Sequence, residues 1–250
     1  MYCNVLVTKP FDQSFTYKTK KGQKIQLGSV VKVSFANKND QLGLISEILG
    51  SNLVNKKSFR IKEIDYVYKD ICLNKEIIKF INWIADYTVS PIGLILKLFL
   101  INEDIINFKD NFEEELNVNL NPVSLNADQI KAFNIIKKNL FNNISPIVLE
   151  GVTGSGKTEV YFEAIEKVVL EKKQCLIMLP EISLTPQLEI RFKERFGFAP
   201  SIWHSKVSNK RRKIIWHKCY QGHPIIVLGA RSSLFLPFKN LGIIVVDEEH

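Results

Sequence analysis

The sequence predicts an α/β protein in two parts, a small β-rich module followed by a lobe built on a parallel sheet. Three observations carry that reading. After residue 125, apolar runs of strand and helix character alternate, which implies a parallel sheet with helices on both faces. Residues 151–158 have the spacing G-x-x-x-x-G-K-[ST] of a phosphate-binding loop. Before residue 110, short β-branched and aromatic runs succeed one another between turn signals.

In the first part, the strand candidates are Asn4–Thr8, Ser14–Lys18, Ser29–Phe35, Leu42–Leu49 and Arg60–Tyr68, separated by Lys21-Gly22, Leu27-Gly28 and the polar stretch 37–40. Lys75–Tyr87 has helical periodicity, with Ile77, Ile78, Ile81, Trp83 and Ile84 on a broad apolar face, and Pro91 and Gly93 punctuate its end. Asp110–Pro122 is an acidic, Asn-rich connector. In the second part, Asn126 suits an N-cap for a helix reaching Phe141. Pro146–Glu150 reads as a short buried strand, Glu159–Leu170 as a helix and Gln174–Leu179 as a strand. Pro186 opens a helix that ends before Gly197. Lys206–Tyr220 is a helix, and Pro224–Leu228 and Leu241–Val246 complete the strands.

The chemistry follows from where the loop falls. Between a strand and a helix amino terminus, Gly151, Val152, Thr153, Gly154, Ser155 and Gly156 let backbone N–H groups converge on phosphate oxygens, and the helix dipole adds attraction. Lys157 would reach the β- and γ-phosphates of ATP, and the Thr158 hydroxyl would ligate Mg²⁺. Asp247 follows four apolar residues, so its carboxylate is expected at a strand's carboxyl edge as a second Mg²⁺ partner. Glu248, one residue on, would orient and polarise the attacking water. Taken alone, an acidic strand end is more often a solvated terminus; the phosphate loop changes its reading.

Length allows two domains, and 46% apolar with 24% charged residues is the composition of a globular protein. Cys3, Cys72, Cys175 and Cys219 are scattered with no C-x-x-C pair, which argues against a zinc site or disulfide framework in these residues. The longest apolar candidate for a membrane span, Pro91–Ile101, is too short and is interrupted by Lys97. With no signal peptide at the start, a cytoplasmic protein is expected. Net charge is +8, made of 16 basic and 10 acidic residues over 1–109, 5 acidic and no basic over 110–130, and 18 basic and 11 acidic over 131–250. Two basic blocks around an acidic connector suit two modules that each favour a polyanion, nucleic acid first.

Further segments make a family resemblance. The stretches 179–187 (LPEISLTPQ), 229–238 (GARSSLFLPF) and 247–250 (DEEH) resemble the first motor lobe of the PriA family of replication-restart helicases, within superfamily 2. Residues 10–17 (PFDQSFTY), the Gly28–Phe35 strand and 83–87 (WIADY) with Pro91-Ile-Gly93 resemble that family's domain for the 3′ end of a nascent strand. The resemblance implies a RecA-like P-loop lobe over 125–250, a β-rich DNA-binding domain over 1–109 and a linker over 110–124. It also implies that Gln129 reads adenine, an amide being able to pair with the N6 and N7 edge. Phe15 would stack, Thr16 would lie at the 3′ end, Lys62 would contact phosphate, and Arg231 and Ser232 would meet the DNA backbone. Lys210–Lys213 reads as a solvated helix face, and Trp203 and His204 as packing residues.

Three departures qualify it. Thr16 stands where the family has an acidic acceptor for the terminal hydroxyl, and Ala36 stands where it has glycine, so weak 3′-end selectivity is expected. The connector is too short for the family's winged-helix domain. The second lobe, with its arginine finger and cysteine-rich zinc insert, is not in these 250 residues, so zinc would belong only there. The implied activity is ATP- and Mg²⁺-dependent 3′-to-5′ unwinding of stalled or collapsed forks, with primosome assembly; the partners are branched and single-stranded DNA, primosome proteins and single-strand-binding protein, and no membrane. The rival readings are a non-hydrolysing fork-binding module with a vestigial ATP site and another superfamily 2 translocase.

Overall fold

The computed structural model describes all residues except 37, 51–60, 109–118, 142–144, 153, 181–185 and 248–250, and for 38 and 39 the backbone alone. The chain divides into two compact units, Met1–Lys109 and Asp110–His250.

In the first unit, β1 (Tyr2–Val7), β2 (Phe15–Lys18), β3 (Ser29–Phe35), β4 (Lys38–Leu49) and β5 (Ile64–Cys72) form an antiparallel sheet ordered β2-β1-β4-β3-β5. The Lys18 N–H donates to the Lys62 carbonyl at 2.9 Å and Lys18 pairs with Glu63, so the two edge strands approach and the sheet curls on itself. Period-2 alternation points Cys3, Val5, Val7, Tyr17, Val31, Val33, Ile45 and Ile64 inward to one apolar core. The helix α1 (Lys75–Thr88) starts at Asn74, whose side chain accepts the Ile77 N–H at 2.8 Å.

Where the sequence reads Pro91 and Gly93 as the end of a helix, they begin another, α2 (Ile92–Leu100), followed by the single turn α3 (Glu103–Ile106). Pro91 fits ahead of a first turn because its missing N–H would have no helical partner there. Gly93 is required by contact: a Cβ would lie 1.9 Å from the Lys9 carbonyl oxygen and 2.4 Å from that of Val7, so glycine lets α2 press on the end of β1.

The second unit has a parallel sheet ordered β7-β8-β6-β9, made of β6 (Gln174–Met178), β7 (Ser201–Trp203), β8 (Ile225–Gly229) and β9 (Leu241–Val246). Around it lie α4 (Ala127–Asn139), α5 (Lys157–Leu170), α6 (Pro186–Phe196) and α7 (Asn209–Gln221). Phe162, Ile165 and Val168 of α5 and Phe192 and Phe196 of α6 fill the core against Cys175, Ile177, Ile226 and Leu228. Trp203, read as a packing residue, is buried on the short strand β7, with the Arg212 guanidinium 5.6 Å from its ring centre. No helix among the described residues is long and apolar enough to cross a membrane.

One expected strand does not form. Pro146–Glu150 joins no ladder, and Val148 is 80% exposed. An apolar run becomes a strand only when a neighbour takes its N–H and C=O groups. The strand β9 pairs with β6 on one side and, among the described residues, with no strand on the other. Leu120 and its neighbours also depart from a free connector. The Asn119 N–H donates to the Phe196 carbonyl and the Asn121 N–H to the Arg195 carbonyl, so this stretch is bound to the end of α6.

Candidate nucleotide and nucleic-acid sites

The loop before α5 takes its shape from glycine. Gly156 is the left-handed N-cap residue of α5, with φ 82°, and a Cβ there would sit 2.3 Å from Gln129 Nε2. That close approach lets the Gln129 amide donate to the Ser155 carbonyl at 3.1 Å, while its Oε1 accepts the Asn126 N–H at 2.9 Å in a capping box. Both ends of the Gln129 amide are therefore engaged inside the protein, and pairing with a base edge requires their release. Lys157 lies in its own loop, its ammonium donating to the Gly151 carbonyl at 2.5 Å and to that of Val152 at 3.3 Å. These carbonyls hold the cation against its own loop. Thr153 and Glu248 lie outside the described residues.

Thr158 lies on the first turn of α5, and the next turn reaches Asp247 through Tyr161. The Tyr161 hydroxyl donates to Asp247 Oδ2 at 2.9 Å, and the Thr158 side chain favours its ionised form. Burial first, and then the Asp247 carboxylate, push the Tyr161 hydroxyl well above its ordinary range, so it stays a donor. Asp247 itself extends the ladder, its N–H donating to the Met178 carbonyl at 3.0 Å, which fixes the carboxylate at the sheet's carboxyl edge. A hydroxyl and a carboxylate one tyrosine apart are hard oxygen donors suited to Mg²⁺, which keeps most of its waters and takes few protein ligands. The signal for Tyr161 was its place three residues after Thr158, on the same helix face.

Arg231 and Ser232 sit exposed in a single 3₁₀ turn, Arg231–Phe235, directly after β8. The turn is held from beneath by the buried Ser233, whose hydroxyl donates to the Ala230 carbonyl at 2.6 Å. All four strands run in parallel, so this turn and Asp247 share one edge of the sheet, on either side of β6 and so about 10 Å apart. In the basic stretch 210–213, Arg212 turns back to the His204 and Ser205 carbonyls, at 3.2 and 2.9 Å.

In the first unit, Phe15 joins Phe11 and Phe35 in a three-ring cluster with centroids 4.6–5.4 Å apart, the rings meeting edge to face or tilted. Phe11 is 37% exposed, which leaves aromatic surface open. The Lys62 ammonium donates to the Ala36 carbonyl at 2.9 Å, beside Phe35. Ala36 has φ 50°, a left-handed conformation in which a side chain is strained and glycine is not. Strand alternation sends Thr16 to the outer face of β2, away from the buried Tyr17; there its hydroxyl donates to Asn4 Oδ1 at 2.9 Å.

Comparison with known proteins agrees with this division. Residues 4–101 match the family described as 3′ DNA-binding domain (3′BD), and residues 126–250 match the DEAD/DEAH box helicase family. The chain is similar to the replication restart protein PriA of Rickettsia conorii, 40% identical over 230 residues, covering 90% of this chain and 34% of that protein. It is similar to PriA of Bacillus subtilis at 41% over 168 residues, or 66% of this chain and 21% of the relative. With PriA of Haemophilus influenzae it shares 44% over 131 residues, 52% of this chain and 18% of the relative. The chain thus spans about a third or less of the length of these relatives.

Proposed function

Because the chain belongs to the DEAD/DEAH box helicase family, with an amino-terminal domain like that of the PriA replication restart proteins, we propose that it forms the fork-binding and ATP-binding part of a 3′-to-5′ DNA helicase. The activity so served is recognition of stalled or collapsed forks and restart through primosome assembly, with single-strand-binding protein as a further partner. The observation that carries the reading is that Asp247, held at the carboxyl edge of the parallel sheet, accepts from Tyr161 on the helix whose first turn carries Lys157 and Thr158. Backbone N–H groups and Lys157 would hold the phosphates of ATP, Thr158 and Asp247 would hold Mg²⁺, and Glu248 would orient the water. An Mg²⁺ held there would supply charge neutralisation on the phosphates. Arg231 and Ser232 on the same edge would put a DNA-backbone contact within reach of movements at the nucleotide site. Phe15 and Lys62 would receive the end of a strand in the other unit, with 110–124 as the connector between the DNA-binding unit and the motor lobe.

A second reading, a fork-binding module that does not hydrolyse ATP, has one observation in its favour: Lys157 and Gln129 are both engaged within the protein. Titration of a fluorescent ADP into a polypeptide of these 250 residues separates the two. Micromolar binding that falls at least tenfold in Lys157→Ala supports the ATP site; binding indifferent to that substitution overturns it. The same polypeptide, supplied with fork DNA, is expected to turn over ATP below about 1 s⁻¹, since an arginine finger contributes roughly 10³–10⁵ in rate.

A further inference from the structure

Residues 195–246 contain nine lysines and arginines and no aspartate or glutamate. A solvated surface ordinarily intersperses both signs, because like charges without partners repel one another. Here the fold also sorts the cations. Arg195 is paired with Glu163 and Glu166. Lys218, in the last turn of α7, and Lys239, just ahead of β9, lie toward the amino edge of the sheet. The other six lie toward the carboxyl edge. The parallel strands β7 and β8 are joined through α7, so that helix starts where β7 ends and returns to where β8 begins. Its first turns, with Lys210, Arg211, Arg212 and Lys213, and the loop carrying Lys206 therefore share an edge with Arg231.

Two contacts tie these parts together. The Ala230 N–H donates to the Trp203 carbonyl at 3.3 Å, so the turn 231–235 and the loop 204–208 leave the sheet side by side. Arg212 is turned inward onto the His204 and Ser205 carbonyls, and it fastens α7 over that loop. Lys206, Lys210 and Arg211 are exposed, and among the described residues none of the three forms an ion pair. Asp247 stands at the far end of the same edge, three strands from β7 and so about 14 Å away. The edge is thus divided electrically, with cations beyond β7 and β8 and an acid beyond β9.

The surroundings decide which polyanion fits. Among the described residues of 191–240, no large apolar or aromatic side chain is exposed. A membrane-surface helix or a protein interface would set apolar anchors beside the cations. A site for single strands would add aromatic rings for the unpaired bases. This surface offers charge alone. That suits a duplex, whose bases are stacked inside and whose outside is phosphate.

We propose that Lys206, Lys210 and Arg211 form, with Arg231, a track for the phosphate backbone of duplex DNA on the half of the lobe away from the nucleotide site. This rests on the reading that Arg231 meets a DNA backbone, and extends it to a second element. It replaces the solvated helix face expected for 210–213.

The test is a fluorescence-anisotropy titration of the 250-residue chain with a blunt duplex and with a single strand of the same length, from about 50 to about 200 mM salt. Each cation on a B-DNA phosphate contributes about 0.9 to the slope of log affinity against log salt. Lys210→Gln/Arg211→Gln removes two charges and keeps polar side chains. It is expected to lower the duplex slope by about 1.8, so its deficit against wild type shrinks about twelvefold across that range. Lys206→Gln, outside the helix, should lower the slope by about 0.9. Lys193→Gln/Lys239→Gln removes two exposed charges from the ends of elements at the amino edge and should leave the slope within about 0.5 of wild type. A slope that near to wild type in the α7 variant overturns the proposal. So does an equal fall in both double variants, which is what net charge alone gives, or a fall on the single strand without one on the duplex. Arg231→Gln separates this proposal from the reading beneath it. If Arg231→Gln lowers the slope on either DNA and the α7 variant does not, the track fails and the contact at Arg231 stands; if neither changes it, both fail.

Discussion

Tyr161 shows how much of a site can hang on one hydroxyl. Removing it in Tyr161→Phe keeps the edge-to-face contact with Phe162, whose centroid is 5.3 Å away, and takes away the hydrogen bond to Asp247. Affinity for ADP without Mg²⁺ is expected to stay within about twofold, while the gain on adding Mg²⁺ falls by about tenfold or more; a lost hydrogen bond to a charged group is of order 1.5–3 kcal/mol, and 1.4 kcal/mol is tenfold. Parallel titrations with and without the metal check it, and an unchanged gain would leave Tyr161 as packing alone. The loop glycines, Lys157, Thr158 and Asp247 were legible because their spacing is local and their chemistry specific. Tyr161 was not. It acquires its place in the candidate site from a partner 86 residues away in sequence.

At the scale of elements, the alternation of strand and helix was readable and the pairing was not. The run Pro146–Glu150 has a strand's composition and lacks a neighbour; the run Ile92–Leu100 carried the marks of a helix end and is a helix. In both cases a tertiary neighbour decided, the unfilled side of β9 in one and the carbonyls of Val7 and Lys9 against Gly93 in the other. The short turn α3 illustrates a tie of the same kind. Lys32 on β3 reaches Glu103 at 2.6 Å, and its ammonium is the main reason the Glu103 carboxyl lies below its ordinary range. A depressed carboxyl contributes stability that is present above its unfolded value, near 4.3, and is lost as pH falls through the lower folded value. Glu103→Gln should therefore lower the urea midpoint at pH 7, by an amount worth less than about 1 kcal/mol for a partly exposed pair, and lower it by less at pH 3. Equal losses at both pH values would mean that charge is not the cause.

Over the whole molecule, two units with their own cores carry the two candidate sites, and the change of charge sign along the chain already marked the boundary between them. Composition could place that boundary only within a stretch. Arg195 shows that the second unit already includes Asn121. It is 4% exposed, donates to Glu163 at 2.5 Å and Glu166 at 2.7 Å, and also donates to the Asn121 carbonyl. Residues 119–121 are thus part of the second unit's own hydrogen bonding, ahead of the Leu125 start that the motifs suggest.

For anyone dissecting the protein, this sets where the scissors go. A clone of the second unit opening at Leu125 would strip a buried guanidinium of one acceptor and bare the carbonyls at the end of α6. A clone opening at or before Asn119 would not. The shorter product is expected to melt about 5–10 °C lower, from about 1.5–3 kcal/mol of lost charge-assisted bonding spread over some 130 residues. Differential scanning fluorimetry on the two clones decides it, and equal melting temperatures would show Asn121 to be a passenger on Arg195.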